Sequence, residues 1–497
     1  MGDSTYRGIT AGTALRTARL TAVALAAGLF LTACASGPDY QAPAVTTGAF
    51  HNASLLEQRP ATSATYAPSA SMPQLEQWWT GFNDPILSSI VQRAMEQNLN
   101  LAASLARVEQ AQAVARHAGA ERLPQVGLDT QAGRQRQSLN SPLGKIASSF
   151  PGYQRTQTLY DVSVGASWET DLAGSLKRGV EAADAERDAA EADHLGVRIS
   201  IAAEAADAYF RIRSAQSRIR IAEDQVQTSD KLLGLVKLRL HDGLSNQRED
   251  ALAQAQLSQA RAGIPPLRTE LERQLNRLDV LMGAVPGTYA RELDAGATDN
   301  IAVPAISVAD GSAGLLRRRP DVLAAERKLA ASNARIGVAM AEYYPKLSLS
   351  ALLGFESLGA AGLFSADSFQ PQAALGLRWR LFDFGRIDAE VARAKGVNQE
   401  ALARYRQSIL RATEDVENAI VTLVQLEKQS AELTDEVAAR QRARSAAQDA
   451  YQGGVLSLTE VLEEDRLLLH ARDQLAQVRA DDARAAVSTF RSLGGGW

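Results

Sequence analysis

GRIDAEVARAKGVNQEALARYRQSILRATEDVENAIVTLVQLEKQSAELTDEVAARQRARSAAQDAYQG, the stretch from Gly385 to Gly453, decides the fold. It holds about 68 residues without a proline, and at about 1.5 Å per residue a helix of that length would reach roughly 100 Å. Leu402, Tyr405, Ile409, Ala412, Val416, Ala419, Leu423 and Leu426 fall at alternating three- and four-residue steps. That seven-residue repeat under-winds a helix and coils it left-handedly around neighbours. The stretch follows a strand-like alternation, Leu375 to Leu381, and stops at Gly453-Gly454. A helix longer than any globular core, joined to a strand, predicts a long tube of packed helices rather than a compact enzyme.

Outward from this stretch, the chain of 497 residues carries a net charge of −4 and only 5% aromatics. Alanine, leucine, glutamine, arginine and glutamate dominate, a mixture that favours long helices and coiled coils. No basic patch with interleaved aromatics occurs, which argues against a nucleic-acid partner. The single cysteine, Cys34, excludes an internal disulfide and a cysteine-based metal cluster. The five histidines are scattered at positions 51, 117, 194, 241 and 470, with no ligand spacing.

The N-terminus carries an address. Arg7, Arg16 and Arg19 precede the apolar run Leu20 to Leu31, and Leu31-Thr32-Ala33-Cys34 follows. That is a secretory signal, too short for a stop-transfer helix. Its end resembles the bacterial lipobox, which implies cleavage before Cys34, an N-acyl diglyceride on that residue and, with Ala35 next, sorting to the outer membrane. A chance cysteine behind an ordinary signal peptide is the alternative. Residues 1–33 are thus the signal and 34–80 an extended tether rich in proline, serine, threonine and alanine.

Helix opens at Asp84-Pro85, where aspartate caps and proline occupies the first helical position. Alternation then predicts strands at about 124–133 and 159–169, with a loop from Ser138 to Thr158 between them. A helix follows from about Leu176 to Leu240, with a tip near 241–246. The return helix to Gly283 should kink at Pro265-Pro266. After a connector, 284–314, the plan repeats over 315–493: helix, strands at about 346–356 and 373–382, a long helix, a tip near 451–457 and a return helix. Residues 494–497 form a flexible tail. Trp168 and Trp379 are 211 positions apart, as are Gly243 and Gly454, so each half spends 75 residues between strand and tip.

Each strand is long enough to cross a bilayer when tilted, and apolar-out, polar-in alternation with flanking aromatics suits an outer-membrane barrel. Open strand edges cannot sit in lipid, so a chain with four strands must oligomerise. Two chains would give eight strands and a filled barrel; three would give twelve and a lumen. A soluble amphipathic sheet on a helical stalk is the competing reading.

Several motifs together carry a family resemblance: Cys34 with Gly37-Pro38-Asp39-Tyr40, Trp78-Trp79, Gly263-Ile264-Pro265-Pro266-Leu267, Leu316 to Val322, Tyr344-Pro345 and Leu381-Phe382-Asp383-Phe384-Gly385-Arg386. The chain resembles TolC-like outer-membrane factors, in particular the OprM/NodT lipoproteins of resistance-nodulation-division efflux systems. The resemblance implies a homotrimer with a twelve-strand β-barrel on a long α-helical barrel. It implies a passive duct for drugs and solvents, served by a periplasmic adaptor and an inner-membrane pump. No cofactor is implied beyond the acyl groups on Cys34.

Position by position, the family's tip tyrosine falls on Tyr451, its tip glycine on Gly454 and its two acidic constriction positions on Glu460 and Glu463. Glu249 holds the equivalent place in the first half. The adaptor-contacting tips then comprise Asp242, Gly243, Leu244, Ser245, Tyr451, Gly454, Val455, Leu456 and Ser457. Glu460 and Glu463 also read as an ordinary solvated helix face, since acids at i and i+3 are common there. Arg317-Arg318-Arg319 reads as a solvated turn, and Asp383 with Arg386 as the strand-to-helix junction. Metal-ion efflux, type I protein secretion and a pore-less lipid-anchored coiled coil are the alternative functions. No phosphate loop, nucleophile elbow or metal cluster speaks for an enzyme.

Overall fold

The computed structural model describes residues 35–44, 48–57, 75–293, 303–306, 314 and 317–495. The expected signal peptide, Cys34 and parts of the tether and connector lie outside the described residues. The main elements are α1 (Pro85–Gln97), α2 (Leu99–Ala120), β1 (Gln125–Arg136), α3 (Pro142–Ala147), β2 (Thr156–Thr170), α4 (Ser175–His241), α5 (Gln247–Ala262), α6 (Ile264–Leu281), α7 (Pro320–Ala341), β3 (Lys346–Ser357), β4 (Phe369–Arg378), α8 (Arg386–Gln452) and α9 (Leu458–Ser492). Two compact units result. One comprises the segment up to Ala42 with 110–188 and 327–403; the other comprises 43–109, 189–326 and 404–497.

In the first unit the four strands form one antiparallel sheet in the order β1-β2-β3-β4. The register stacks Val126, Ala166, Ala351 and Ala373 in one row, and Leu128, Val164, Leu353 and Pro371 in the next. Side chains alternate between faces, so these rows share one apolar face. Gln125, Asp129, Gln131, Asp161, Ser163, Ser167, Ser350, Gln372 and the glycines 127, 165, 354 and 376 share the other.

Two expectations are corrected here. β4 spans Phe369–Arg378 rather than 373–382, because Pro371 lies inside the strand, on the sheet edge, where proline is tolerated. Trp379 meanwhile leaves the ladder, its indole N–H donating to the Tyr343 carbonyl at 3.0 Å. The segment 138–158 is not all loop: Ser141 caps the short helix α3, accepting from the Gly144 amide at 3.1 Å.

The two tryptophans 211 positions apart make equivalent hydrogen bonds. Trp168, like Trp379, donates to the carbonyl of a residue between helix end and strand start, Arg122 at 2.9 Å. The segment after Ala35 is held by Arg178, whose guanidinium reaches the Ser36 carbonyl (3.1 Å), the Gly37 carbonyl (3.3 Å), Asp39 (2.7 Å) and Glu181 (2.7 Å). A Cβ on Gly337 would stand 2.5 Å from the Ser36 oxygen and 2.8 Å from Arg178 Cγ. Gly337→Ala is therefore expected to weaken this attachment by about 1–3 kcal/mol, as overpacking does. Amide exchange across residues 35–42 should rise while that of α4 stays unchanged.

The second unit is helical. Of the heptad positions that α8 contributes to it, Tyr405, Ala412, Val416, Ala419 and Leu423 are buried and Ile409 and Leu426 half-buried; Leu402, in the first unit, is half-buried as well. Asp84 caps α1 by accepting from the amides of Ile86 (2.9 Å) and Leu87 (3.1 Å), with Pro85 at the first position. Its other oxygen takes the Tyr209 hydroxyl, which also accepts from Arg213 Nε at 3.0 Å. Nearby, Trp78 stacks on Phe490 with centroids 5.6 Å apart, and Phe82 meets Phe210 at 5.1 Å.

The kink expected at Pro265-Pro266 is instead a helix boundary. α5 ends at Ala262 and α6 begins at Ile264, so the prolines fill first-turn positions, where their missing N–H groups cost nothing. Arg319 is not solvated but buried, donating to the carbonyls of Ala412 (3.2 Å) and Ser492 (2.9 Å) and pairing with Asp321 and Asp415. Asp383 does cap the strand-to-helix junction, accepting from the amides of Gly385 (3.1 Å) and Ile387 (2.7 Å).

Candidate functional site

Two features of the chain can do transport work: the sheet and the helix tips. Within the single chain β1 and β4 are the sheet's outer strands, and each has one unpaired edge. The apolar face leaves Val126 (69% exposed), Leu128 (68%), Leu353 (59%) and Leu375 (68%) bare, too much apolar surface to face water without purpose. Trp168 and Trp379, with the exposed Phe382 and Phe384, stand at the end where the chain joins the helices; Tyr160, Phe355 and Phe369 stand toward the loops. Aromatics at both rims of an apolar band mark the two interfaces of a bilayer. Among the described residues no helix is long and apolar enough to cross a membrane. The exposed apolar face with its flanking aromatics makes the strands the spanning candidates.

The tips in the second unit are built twice from one recipe. Gly243 (φ 72°) and Gly454 (φ 76°) close α4 and α8 in the left-handed region that favours glycine. Leu244 N–H then reaches back to the Arg239 carbonyl at 2.7 Å, and Val455 N–H to the Ala450 carbonyl at 2.9 Å. The same backbone path carries Leu244 (68%) and Val455 (79%) into solvent. Asn246 and Ser457 open the return helices, and Glu249 and Glu460 sit three residues on. Asp242 and Ser457 are exposed, and Ser245 and Leu456 half-buried. Tyr451 is the exception: it is buried with Leu233, Val236, Leu257, Leu458 and Val461, under the Arg239 guanidinium 4.6 Å from its ring centre. Burial raises its hydroxyl pKa; Arg239 counters this and Glu249 adds to it.

The acids are locally engaged. Glu460 Oε2 accepts from the Ser457 amide and hydroxyl, both at 2.8 Å, and these bonds hold its carboxyl below the ordinary 4.5. Glu463 is lowered by Arg466, whose Nε lies 3.0 Å away. Glu249 accepts from the Ser245 hydroxyl at 2.6 Å. A depressed carboxyl stabilises the fold above its unfolded pKa and loses that contribution as pH falls through the folded value. Acidification below 4.5 is therefore expected to fray the start of α9, and Glu460→Gln should remove that pH dependence from the tip's amide exchange.

The sequence profile of the outer membrane efflux protein family matches residues 90–284 and 313–495, more than half of the chain. The chain belongs to the outer membrane efflux protein family. It is similar to the pyoverdine export outer membrane protein OpmQ of Pseudomonas putida, 32% identical over 435 residues, 87% of this chain and 91% of that one. The cation efflux system protein CusC of Escherichia coli O157:H7 is 26% identical over 470 residues, 94% of this chain and 97% of its own. Among solved structures, the outer-membrane channel OprN superposes with a TM-score of 0.81 at 30% identity, covering 93% of this chain and 100% of that one. This efflux protein is thus an outer-membrane exit channel, in a family of channels rather than enzymes.

Sequence reading of this efflux protein missed Asp465, 3% exposed and paired with Arg444 at 2.7 Å between α8 and α9. The signal was present: Asp465 interrupts the apolar row Leu458, Val461, Leu468, Leu475. Among the described residues no group of three His, Cys, Asp or Glu could hold a metal.

Proposed function

We propose that three copies of this chain form the outer-membrane duct of a tripartite efflux system, anchored additionally by acyl chains on Cys34. The observation that carries the proposal is the four-stranded sheet with two open edges and opposite faces. Such edges are untenable in lipid, and twelve strands give a closed wall with a lumen. The exposed Leu244 and Val455, on matching tips, suit apolar docking of a periplasmic adaptor, with an inner-membrane pump of the resistance-nodulation-division type behind it. Glu460, Glu463 and Glu249 would supply carboxylates to the constriction, favouring cations over anions. The pyoverdine-export relatives favour a small organic cargo over the cations named for CusC.

Planar-bilayer recording tests this. The purified protein should conduct after an opening treatment, with a cation preference that falls in Glu460→Gln/Glu463→Gln. Silence under every treatment would contradict the duct.

A further inference from the structure

The apolar face of the sheet ends in a basic patch. Eight residues separate Trp168 from Tyr160 along β2, about 27 Å of strand and roughly 20 Å of height at a tilt of about 40°. That is the span of the apolar band, and Ala132, the partner of Tyr160, marks its loop-side rim on β1. Beyond Ala132 the same face of β1 presents Arg134 and Arg136, both exposed and roughly 5 and 10 Å farther out. Their cross-strand partners are Thr158 and Thr156.

Two arginines and two threonines thus occupy adjacent cross-strand positions on one face, level with the headgroup layer just outside the hydrocarbon. Among the described residues neither guanidinium makes a hydrogen bond or an ion pair. Closing a barrel through the edge of β1 adds a strand in the plane of the sheet and leaves this outward face free. Arginine on a lipid-facing strand is costly in the hydrocarbon and inexpensive at the interface, which agrees with where the pair stands.

We propose that Arg134 and Arg136, with Thr156 and Thr158, bind the phosphate groups of a phosphorylated glycolipid in the outer leaflet, one patch per copy. The proposal rests on the membrane-spanning reading above, with the loops outward. Planar guanidinium groups suit phosphate in paired, charge-assisted bonds. The commitment to the outer-leaflet glycolipid follows from position: the patch is at the loop end of the sheet, opposite the helices.

Native mass spectrometry of the purified assembly tests this with three probes: bisphosphorylated lipid A, the same lipid without phosphates, and phosphatidylglycerol. The wild type should retain bisphosphorylated lipid A about tenfold better than either of the others, and Arg134→Gln/Arg136→Gln should lose about tenfold of that affinity. Equal retention of the dephosphorylated lipid, equal retention of phosphatidylglycerol, or an unchanged double variant would each overturn the proposal. The probe comparison needs only the wild type, so it decides the matter even if the variant misfolds. Failure of the wild type to assemble would count against the barrel instead.

Discussion

Leu128→Arg is expected to cost about 2–4 kcal/mol per copy and to deplete folded protein from the outer membrane, whereas Asp129→Arg should leave assembly within about 0.5 kcal/mol of wild type. The two positions are adjacent, and the sheet register alone separates them. Leu128 lies in the row with Val164 and Leu353, midway between the levels of Trp168 and Tyr160. That is the middle of the apolar band, where a charge facing lipid is most expensive. Asp129 sits opposite Ser163 on the polar face, so arginine there should alter ion selectivity without blocking insertion. Heat-modifiable gel mobility of membrane fractions reads assembly, and bilayer recording reads selectivity. Equal loss in both variants would mean that the faces are wrongly assigned.

Arg319→Met carries the second large effect, a loss of about 2–4 kcal/mol, with Arg319→Lys recovering less than half of it. Burial alone would lower the pKa of this guanidinium, but Asp321 and Asp415 together raise it, so it stays charged. It joins three parts of the helical unit: the start of α7, the middle of α8 through the Ala412 carbonyl, and the end of α9 through the Ser492 carbonyl. Asp321 and Asp415 are half exposed, so stranding them costs less than stranding a fully buried pair, and this sets the lower part of the usual range. Lysine, a point donor without the planar fork, cannot serve two carbonyls and two carboxylates at once. The urea midpoint of unfolding measures the loss, and faster trypsin cleavage near Arg491 would localise it.

The architecture was legible wherever periodicity is local. The heptad over α8 and the alternation in β1 to β3 depend on neighbours within a few turns, the 211-residue spacing repeats them, and the family motifs agreed with both. What escaped depends on distant partners. Nothing beside Arg319 in the sequence reveals carbonyls 93 and 173 residues away. Pro371 lies inside β4, and proline is tolerated there because β4 is an outer strand of the chain's own sheet. Tyr451 has the position of a tip residue, yet Arg239 and the surrounding leucines and valines draw its ring inward. Asp465 could have been found, because an acid inside an apolar heptad row demands a partner.

The central claim is that separate copies of this chain complete one wall. Native mass spectrometry of protein extracted from outer membranes in a mild detergent tests it most directly. The account predicts a particle of three chains that also conducts in bilayers; a single chain that keeps its helical content and its four-stranded sheet in water would contradict it.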